Sequence, residues 1–160
     1  MFATLPDDSK LWVFCFVEPA SDAQTAQLSA ALSRFVSEWR AHGAPVSGAF
    51  NLIEGHFLLM ASDCRGADVS GCSIDSMFQA VLAAAAAVGL TIADPSTIFF
   101  RGTGGKVSVL SRSEFKALAK GADFDRRTSV FDPVLTSLRE LRAKGFELPF
   151  ENAWHARAFG

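Results

Sequence analysis

The chain has 160 residues, of which 49% are hydrophobic and 20% are charged, and this composition indicates a globular protein rather than a disordered one. The net charge is −2 and both signs are spread along the chain, so no nucleic-acid partner is expected. No apolar run reaches the length of about 20 residues that a membrane span needs. Residues 1–10 also lack the basic region and cleavage site of a signal peptide, so we expect a cytoplasmic protein with no membrane partner.

The first strand and the first helix follow from two local patterns. Residues 11–17 are continuously apolar and rich in aromatic side chains, as is typical of a strand buried on both faces. Ser21 and Gln24 have the spacing of a capping box, which predicts that a helix begins after Ser21. Its apolar stripe continues at helical spacing to Trp39, and Gly43 is predicted to end it.

A hairpin and a second helix are predicted next. Residues 46–52 and 57–61 show the period-two spacing of strands, and residues 53–55 between them are few enough for a hairpin turn. Residues 73–88 carry an apolar stripe and a run of alanines, which have the highest helix propensity. This segment therefore predicts a helix, which Gly89 ends.

The second half of the chain predicts shorter elements. Residues 97–101 and 106–110 are predicted strands joined by a glycine-rich turn. A second capping box at Ser111 and Glu114 opens a short helix, and Asp132, followed by proline, is the predicted N-cap of a C-terminal helix. The tail that follows is rich in aromatic residues, so we expect it to pack back on the body of the protein.

The order of these elements predicts the fold class. Strand, helix, strand, strand, helix and strand follow one another, and the chain shows no repeat and no low-complexity linker. We expect a single α+β domain over residues 1–160, built as a ferredoxin-like (split β-α-β) sandwich with an extra hairpin strand, a short helix and a C-terminal helix. A profilin-like or other α+β meander is the alternative fold.

The main candidate site lies at the start of the second helix. Ser70, Gly71, Cys72, Ser73 and Asp75 bring a thiol, two hydroxyls and a carboxylate to one helix N-terminus. They are explained as capping residues, with Asp75 placed favourably against the helix dipole. Alternatively, the exposed amides hold a small anionic ligand, or the helix N-terminus lowers the pKa of the Cys72 thiol and makes it nucleophilic.

Three further residues complete the candidate site. A nucleophilic Cys72 needs a base, and His155 beside Trp154 on the returning tail is the best-placed histidine of the three in the chain. The alternative for Trp154 and His155 is that they only anchor the tail. Arg101 ends an apolar strand before the glycine-rich turn, and it is either an anion contact or a solvated strand-end charge.

Neither a metal nor a cofactor is expected. The three cysteines are Cys15, Cys64 and Cys72, and their odd number and the missing secretory signal argue against a disulfide framework. Cys64 and Cys72 are not spaced as CxxC, and His56 is the only histidine nearby, so a zinc site is not indicated. Residues 100–106 (FRGTGGK) lack the first glycine of a phosphate-binding P-loop and its final hydroxyl residue, and a strand pattern follows.

Four segments together resemble a family of small bacterial proteins of about this length. They are residues 39–45 (WRAHGAP), 70–75 (SGCSID), 113–115 (SEF) and 154–157 (WHAR). Members of that family are frequently labelled ABC transporter ATPases, but this chain has neither a P-loop nor an LSGGQ-type signature, so an ATPase is not expected. The resemblance carries no established activity, and it therefore implies no catalytic roles.

Two functional hypotheses follow from these patterns. The first is a non-enzymatic α+β module that binds a small anionic ligand or forms a homodimer through an exposed edge strand. The second is a cysteine-dependent hydrolase or transferase, with Cys72 as nucleophile, His155 as base and the amides after Gly71 as an oxyanion hole. The surroundings of Cys72 discriminate between them, because a thiol buried among apolar side chains cannot act as a nucleophile.

Overall fold

The computed structural model describes residues 2–63, 65 and 71–160. Within these residues the chain forms five α-helices and nine β-strands, and the strands pair in three antiparallel sheets, which confirms the predicted α+β class. The elements are, in chain order, β1 (Lys10–Cys15), α1 (Asp22–Glu38), β2 (Arg40–Ala41), β3 (Ala44–Pro45), β4 (Ser47–Ile53), β5 (Phe57–Asp63), α2 (Gly71–Ala87), β6 (Ile98–Arg101), β7 (Val107–Leu110), α3 (Arg112–Ala119), β8 (Ser129–Phe131), α4 (Leu138–Lys144), β9 (Glu147–Pro149) and α5 (Trp154–Phe159).

Packing divides the chain into two compact units. The first consists of Met1–Ile92 and Leu135–Ala143, and the second consists of Ala93–Val134 and Lys144–Gly160. Each unit is described by itself below, and the single domain expected from the sequence stays a prediction.

The sheet of the first unit is built around β5. This strand pairs in antiparallel fashion with β1 on one side and β4 on the other, so β1 and β4 run parallel to each other with β5 between them. Six of the seven β5 residues are buried, as expected for a central strand covered on both faces. Residues of the sheet and of both long helices share one core cluster, which includes Phe14, Leu28, Leu32, Leu58, Met60, Met77 and Val81.

The first helix ends earlier than its apolar stripe predicts. α1 stops at Glu38 and Trp39 is already extended, at φ −64° and ψ 125°. The chain then turns through the β2–β3 hairpin, whose two turn residues, His42 and Gly43, have φ values of 51° and 81°. Positive φ at both positions is the geometry of a tight type I′ turn. The prediction that this helix continues to Gly43 is therefore wrong, because Trp39 reaches the core from an extended backbone and needs no helical turn there.

Both predicted capping boxes are confirmed. Ser21 Oγ accepts a hydrogen bond from the Gln24 amide at 3.2 Å, and the Gln24 side chain accepts one from the Ser21 amide at 2.9 Å. Ser111 and Glu114 form the same pair of bonds, at 3.3 and 2.9 Å. These bonds satisfy helix amides that have no intrahelical partner, so each box defines where its helix begins.

The second unit carries its own four-stranded sheet, in the order β7-β6-β8-β9. β6 is the strand that the sequence places last in a single ferredoxin-like sheet. Instead it pairs with β7 across the predicted glycine-rich turn and with β8 through Phe100 and Val130. The longer strands and helices follow one another as predicted, but the sequence analysis predicts neither the short strands β2, β3, β8 and β9 nor the pairing of β6 with β8.

The C-terminal segment differs from its prediction at one end. α4 begins at Leu138, six residues after the predicted N-cap Asp132. Ser137 caps it instead, because its Oγ accepts from the Glu140 amide at 3.2 Å. The tail after α4 packs against the second unit as expected: Phe150 and Phe159 belong to its core cluster with Phe115. In the part of the chain that the structure describes, no helix is both long and apolar enough to cross a membrane.

Candidate functional site

The predicted site residues fall into both units. Gly71, Cys72, Ser73 and Asp75 belong to the first unit, at the start of α2. Arg101, Trp154 and His155 belong to the second. Ser70 and Cys64 lie outside the described residues. Two separate places are therefore described here, the start of α2 and the surroundings of His155.

The first turn of α2 divides its side chains between core and solvent. Ser73 is 3% exposed, and its carbonyl oxygen accepts a hydrogen bond from the Trp39 indole N–H at 3.0 Å. Cys72 is exposed, and the Ser76 hydroxyl donates to its carbonyl oxygen at 2.9 Å. The buried position thus anchors the helix to Trp39, and the thiol next to it faces outward, where reagents reach it.

Cys72 lines a small open pocket, which we call the Cys72 pocket. Its volume is about 170 Å³, and Arg40 and His42 from the β2–β3 hairpin share its wall with the thiol. The sequence did not single out His42 as a partner of Cys72, because the residue was expected near the end of α1. The sequence did contain one indication that His42 and Cys72 belong together. They lie in residues 39–45 and 70–75, which are two of the four segments that carry the family resemblance.

His155 lies in the core of the second unit. It is 1% exposed, stacks on the Trp154 indole with 3.9 Å between ring centroids, and meets the Phe115 ring nearly edge-on at 6.1 Å. Burial among these rings lowers the pKa of His155 from 6.5 to about 4, because the apolar surroundings disfavour the charged imidazolium. The imidazole is therefore neutral at pH 7.

The Nδ1 atom of His155 is buried and has no hydrogen-bond partner among the described residues. Native proteins pair the large majority of their buried polar atoms, and an orphaned one costs about 1–3 kcal/mol. The other buried histidine shows the usual arrangement, since Nδ1 of His56 donates to the Phe16 carbonyl oxygen at 2.9 Å. Among the described residues, the hydrogen bond of the His155 Nδ1 atom is thus left to water or to a ligand.

A cavity of about 120 Å³ lies beside this imidazole, and we call it the His155 cavity. Arg112 contributes the single charged side chain of its lining. The indole N–H of Trp154 points elsewhere and donates to Asp132 Oδ1 at 3.1 Å. The cavity is lined by Pro95, Ser96, Thr97, Ile98, Arg112, Pro133, Val134, Trp154 and His155.

Arg101 already has a carboxylate partner. Its guanidinium makes two 2.8 Å hydrogen bonds to Glu147, stacks over Phe131 at 5.0 Å and donates to the Gly105 carbonyl oxygen at 3.1 Å. The hydrogen bonds from Arg101 lower the pKa of Glu147. Arg101 lines a different, open groove of about 600 Å³ and is not among the residues that line the His155 cavity.

Among the described residues, no three His, Cys, Asp or Glu side chains lie close enough together to hold a metal ion. The half-buried thiol of Cys15 is equally unsuited to chemistry, because desolvation raises its pKa to about 12. The chain matches no protein-family model, no curated protein and no solved structure. The geometry of the two places described above is therefore the basis for a functional proposal.

Proposed function

We propose that this protein is a non-enzymatic α+β module that binds a small anionic ligand, and that the ligand occupies the His155 cavity. The observation that carries the proposal is the Nδ1 atom of His155, which is buried without a described partner beside a cavity with one cationic side chain. A bound ligand would supply the missing hydrogen bond. A hydrogen bond between the ligand and this atom would then contribute to binding.

The state of the imidazole supports binding over proton transfer. A general base works best when its pKa lies near the operating pH, whereas burial lowers the pKa of His155 to about 4. The neutral ring is a weak proton acceptor at pH 7, but it remains a good hydrogen-bond donor or acceptor.

A thermal-shift screen tests this proposal. The wild-type protein and a His155→Phe variant are heated with a library of small anions and neutral compounds of similar size. A ligand that binds only the folded protein raises the melting temperature. We expect at least one compound to raise it for the wild type and not for the variant. The proposal would be contradicted if no compound raised the melting temperature of the wild type, or if every compound raised it equally in both proteins.

Cysteine chemistry is the second candidate function. It is supported by the exposed thiol of Cys72 and by the cation and the imidazole, Arg40 and His42, that line the same pocket. The sequence proposes His155 as the base, and the structure adds His42 as a competing choice. The hypothesis requires a thiolate of lowered pKa at one of these histidines.

Alkylation kinetics decide between the two functions. The rate of Cys72 modification is followed against pH in a variant in which the other two cysteines are replaced. An apparent pKa near about 8.5, the value of a free thiol, would remove the enzyme hypothesis. A lower value that returns to normal in His42→Ala, but not in His155→Phe, would support chemistry in the Cys72 pocket.

We further propose a specific topology for the first unit and an association of two copies of the chain. β1 and β4 flank β5 and α1 connects them, which supports a ferredoxin-like (split β-α-β) arrangement of the first unit. The outer edge of β4 supports a homodimer by strand addition. We also retain the resemblance to the small bacterial family, the cytoplasmic location and the lack of a nucleic-acid partner. A monomer by light scattering at high concentration would rule out the homodimer.

A further inference from the structure

We infer that the ligand of the His155 cavity is a small monocarboxylate with a short apolar body, and that its carboxylate binds between Arg112 and His155. This inference rests on the proposed function and adds the chemical class of the ligand. Three properties of the cavity lead to it: its charge, its available hydrogen-bond donors and its apolar wall.

The charge of the lining favours an anion. Arg112 is its single charged residue, and no acidic side chain of the described residues forms an ion pair with it. The guanidinium carbon lies 5.1 Å from the centroid of the Phe159 ring, so a cation–π contact holds it in place. The His155 ring lies 6.2 Å from the same centroid. One aromatic ring therefore supports both groups that are available to bind a carboxylate, and a planar guanidinium matches the two carboxylate oxygens.

The remaining donors favour a carboxylate over a phosphate. The Trp154 indole N–H is bonded to Asp132, and the Ser96 hydroxyl donates to Asp94 at 2.6 Å. Both bonds end on acidic side chains next to lining residues, and these carboxylates repel a dianion more than a monoanion. A carboxylate has two oxygens to satisfy, which the Arg112 guanidinium and the His155 N–H supply together. The Thr97 hydroxyl also lines the cavity, but a phosphate dianion has more charge than the single guanidinium balances.

The rest of the wall favours an apolar body. Ile98, Pro95 and Pro133 line the cavity, and Val134, also in the lining, is 60% exposed. An apolar group in the cavity removes this surface from water. The volume of about 120 Å³ is slightly smaller than the volume of about 150 Å³ of an apolar cavity that binds benzene, so the cavity admits a body of only a few carbon atoms. Butyrate is of this size and benzoate is slightly larger, whereas a nucleotide or a peptide is much too large.

Calorimetric titration with benzoate, benzamide and inorganic phosphate tests the inference. Benzamide has the shape of benzoate without its charge, so the pair isolates the role of the carboxylate. Hydrogen bonds to charged groups contribute more than neutral ones, and we expect benzoate to bind about tenfold more tightly than benzamide. Arg112→Gln should remove that preference. Arg126→Gln is the matched control, because Arg126 stacks over Phe150 at 5.3 Å in the same way but does not line the cavity.

The outcomes separate the inference from the proposed function. Equal affinities for benzoate and benzamide, tighter binding of phosphate, or an unchanged preference in Arg112→Gln would overturn the inference, while binding in the cavity would still stand. If none of the three probes binds, but another compound of the thermal-shift library stabilises the wild type and not His155→Phe, the inference is also overturned and the proposed function stands. If no compound of the library raises the melting temperature, the proposed function fails as well. Arg112 is exposed, so its substitution is expected to leave the fold intact.

Discussion

Replacing His155 by phenylalanine should make the protein more stable. The histidine is surrounded by the rings of Phe115, Trp154 and Phe159, which accept a phenyl group of similar size. The substitution removes a buried nitrogen without a described partner, and such an atom costs about 1–3 kcal/mol. We therefore expect the free energy of unfolding at pH 7 to rise by an amount in this range. A buried residue that lowers stability is the pattern expected where function requires that residue.

The same variant should lose a pH dependence that the wild type shows. The pKa of His155 is lowered from 6.5 to about 4 in the folded protein, so between these values the unfolded chain binds a proton that the folded chain does not. The stability of the wild type is therefore complete above pH 6.5 and falls as the pH drops towards 4. By linkage the loss is about 2 kcal/mol between pH 7 and pH 5, and His155→Phe should not show it.

Urea unfolding followed by circular dichroism at pH 7 and pH 5 measures both effects. The matched control is His56→Phe, since His56 is also buried but its Nδ1 donates to the Phe16 carbonyl oxygen. That substitution leaves a carbonyl without its donor and should destabilise by about 1–3 kcal/mol. If His155→Phe is destabilised at pH 7 like the control, or keeps the wild-type pH dependence, then His155 is a satisfied core residue and the reasoning is refuted.

Three further predictions concern the first unit. A Cβ atom at Gly48 would lie 2.7 Å from the Trp39 ring, so Gly48→Ala should lower the free energy of unfolding in urea by about 1–3 kcal/mol. Gly71→Ala is the control and should not lower it, because a Cβ atom there meets open space. Equal losses in the two variants would contradict this account. Trp39→Phe removes the N–H that pairs with the buried Ser73 carbonyl and should also cost about 1–3 kcal/mol, and a neutral result would show that this bond is dispensable. Iodoacetamide at pH 8 should modify Cys72 and leave Cys15 unmodified by mass spectrometry, because desolvation raises the pKa of the half-buried Cys15 thiol to about 12. Rapid modification of Cys15 in the folded protein would contradict that pKa.

Local chemistry explains which elements the sequence predicts correctly. The capping boxes at Ser21 and Ser111 are predicted because their bonds join residues three apart, and the structure contains both. The helical spacing of apolar residues places Trp39 in α1, but the helix ends at Glu38. The Trp39 side chain keeps the same spacing because it enters the core from the extended residue that follows the helix. The pairing of β6 with β7 follows from the glycine-rich turn between them, but its pairing with β8 was not predictable, since that pairing depends on residues far along the chain.

The candidate site was predictable only in part. Trp154 and His155 were recognised as an anchor or a site, and the structure buries the imidazole without showing a partner for its Nδ1. Arg112 was missed because the lining of the His155 cavity comes from segments far apart in sequence, which only the fold brings together. His42 was missed because it was expected in a helix and lies in a hairpin turn. The pairing of Cys72 with His155 stays a prediction.

The most direct test of a small anion in the His155 cavity is the ¹⁵N spectrum of the imidazole rings during titration with benzoate. Our account predicts that the Nδ1 signal of His155 shifts in a saturable way and that its N–H proton becomes protected from exchange. The Nδ1 signal of His56, which already has the Phe16 carbonyl oxygen as its partner, should not move. An unchanged His155 signal at benzoate concentrations that saturate the calorimetric titration would contradict the account, because the ligand would then bind elsewhere.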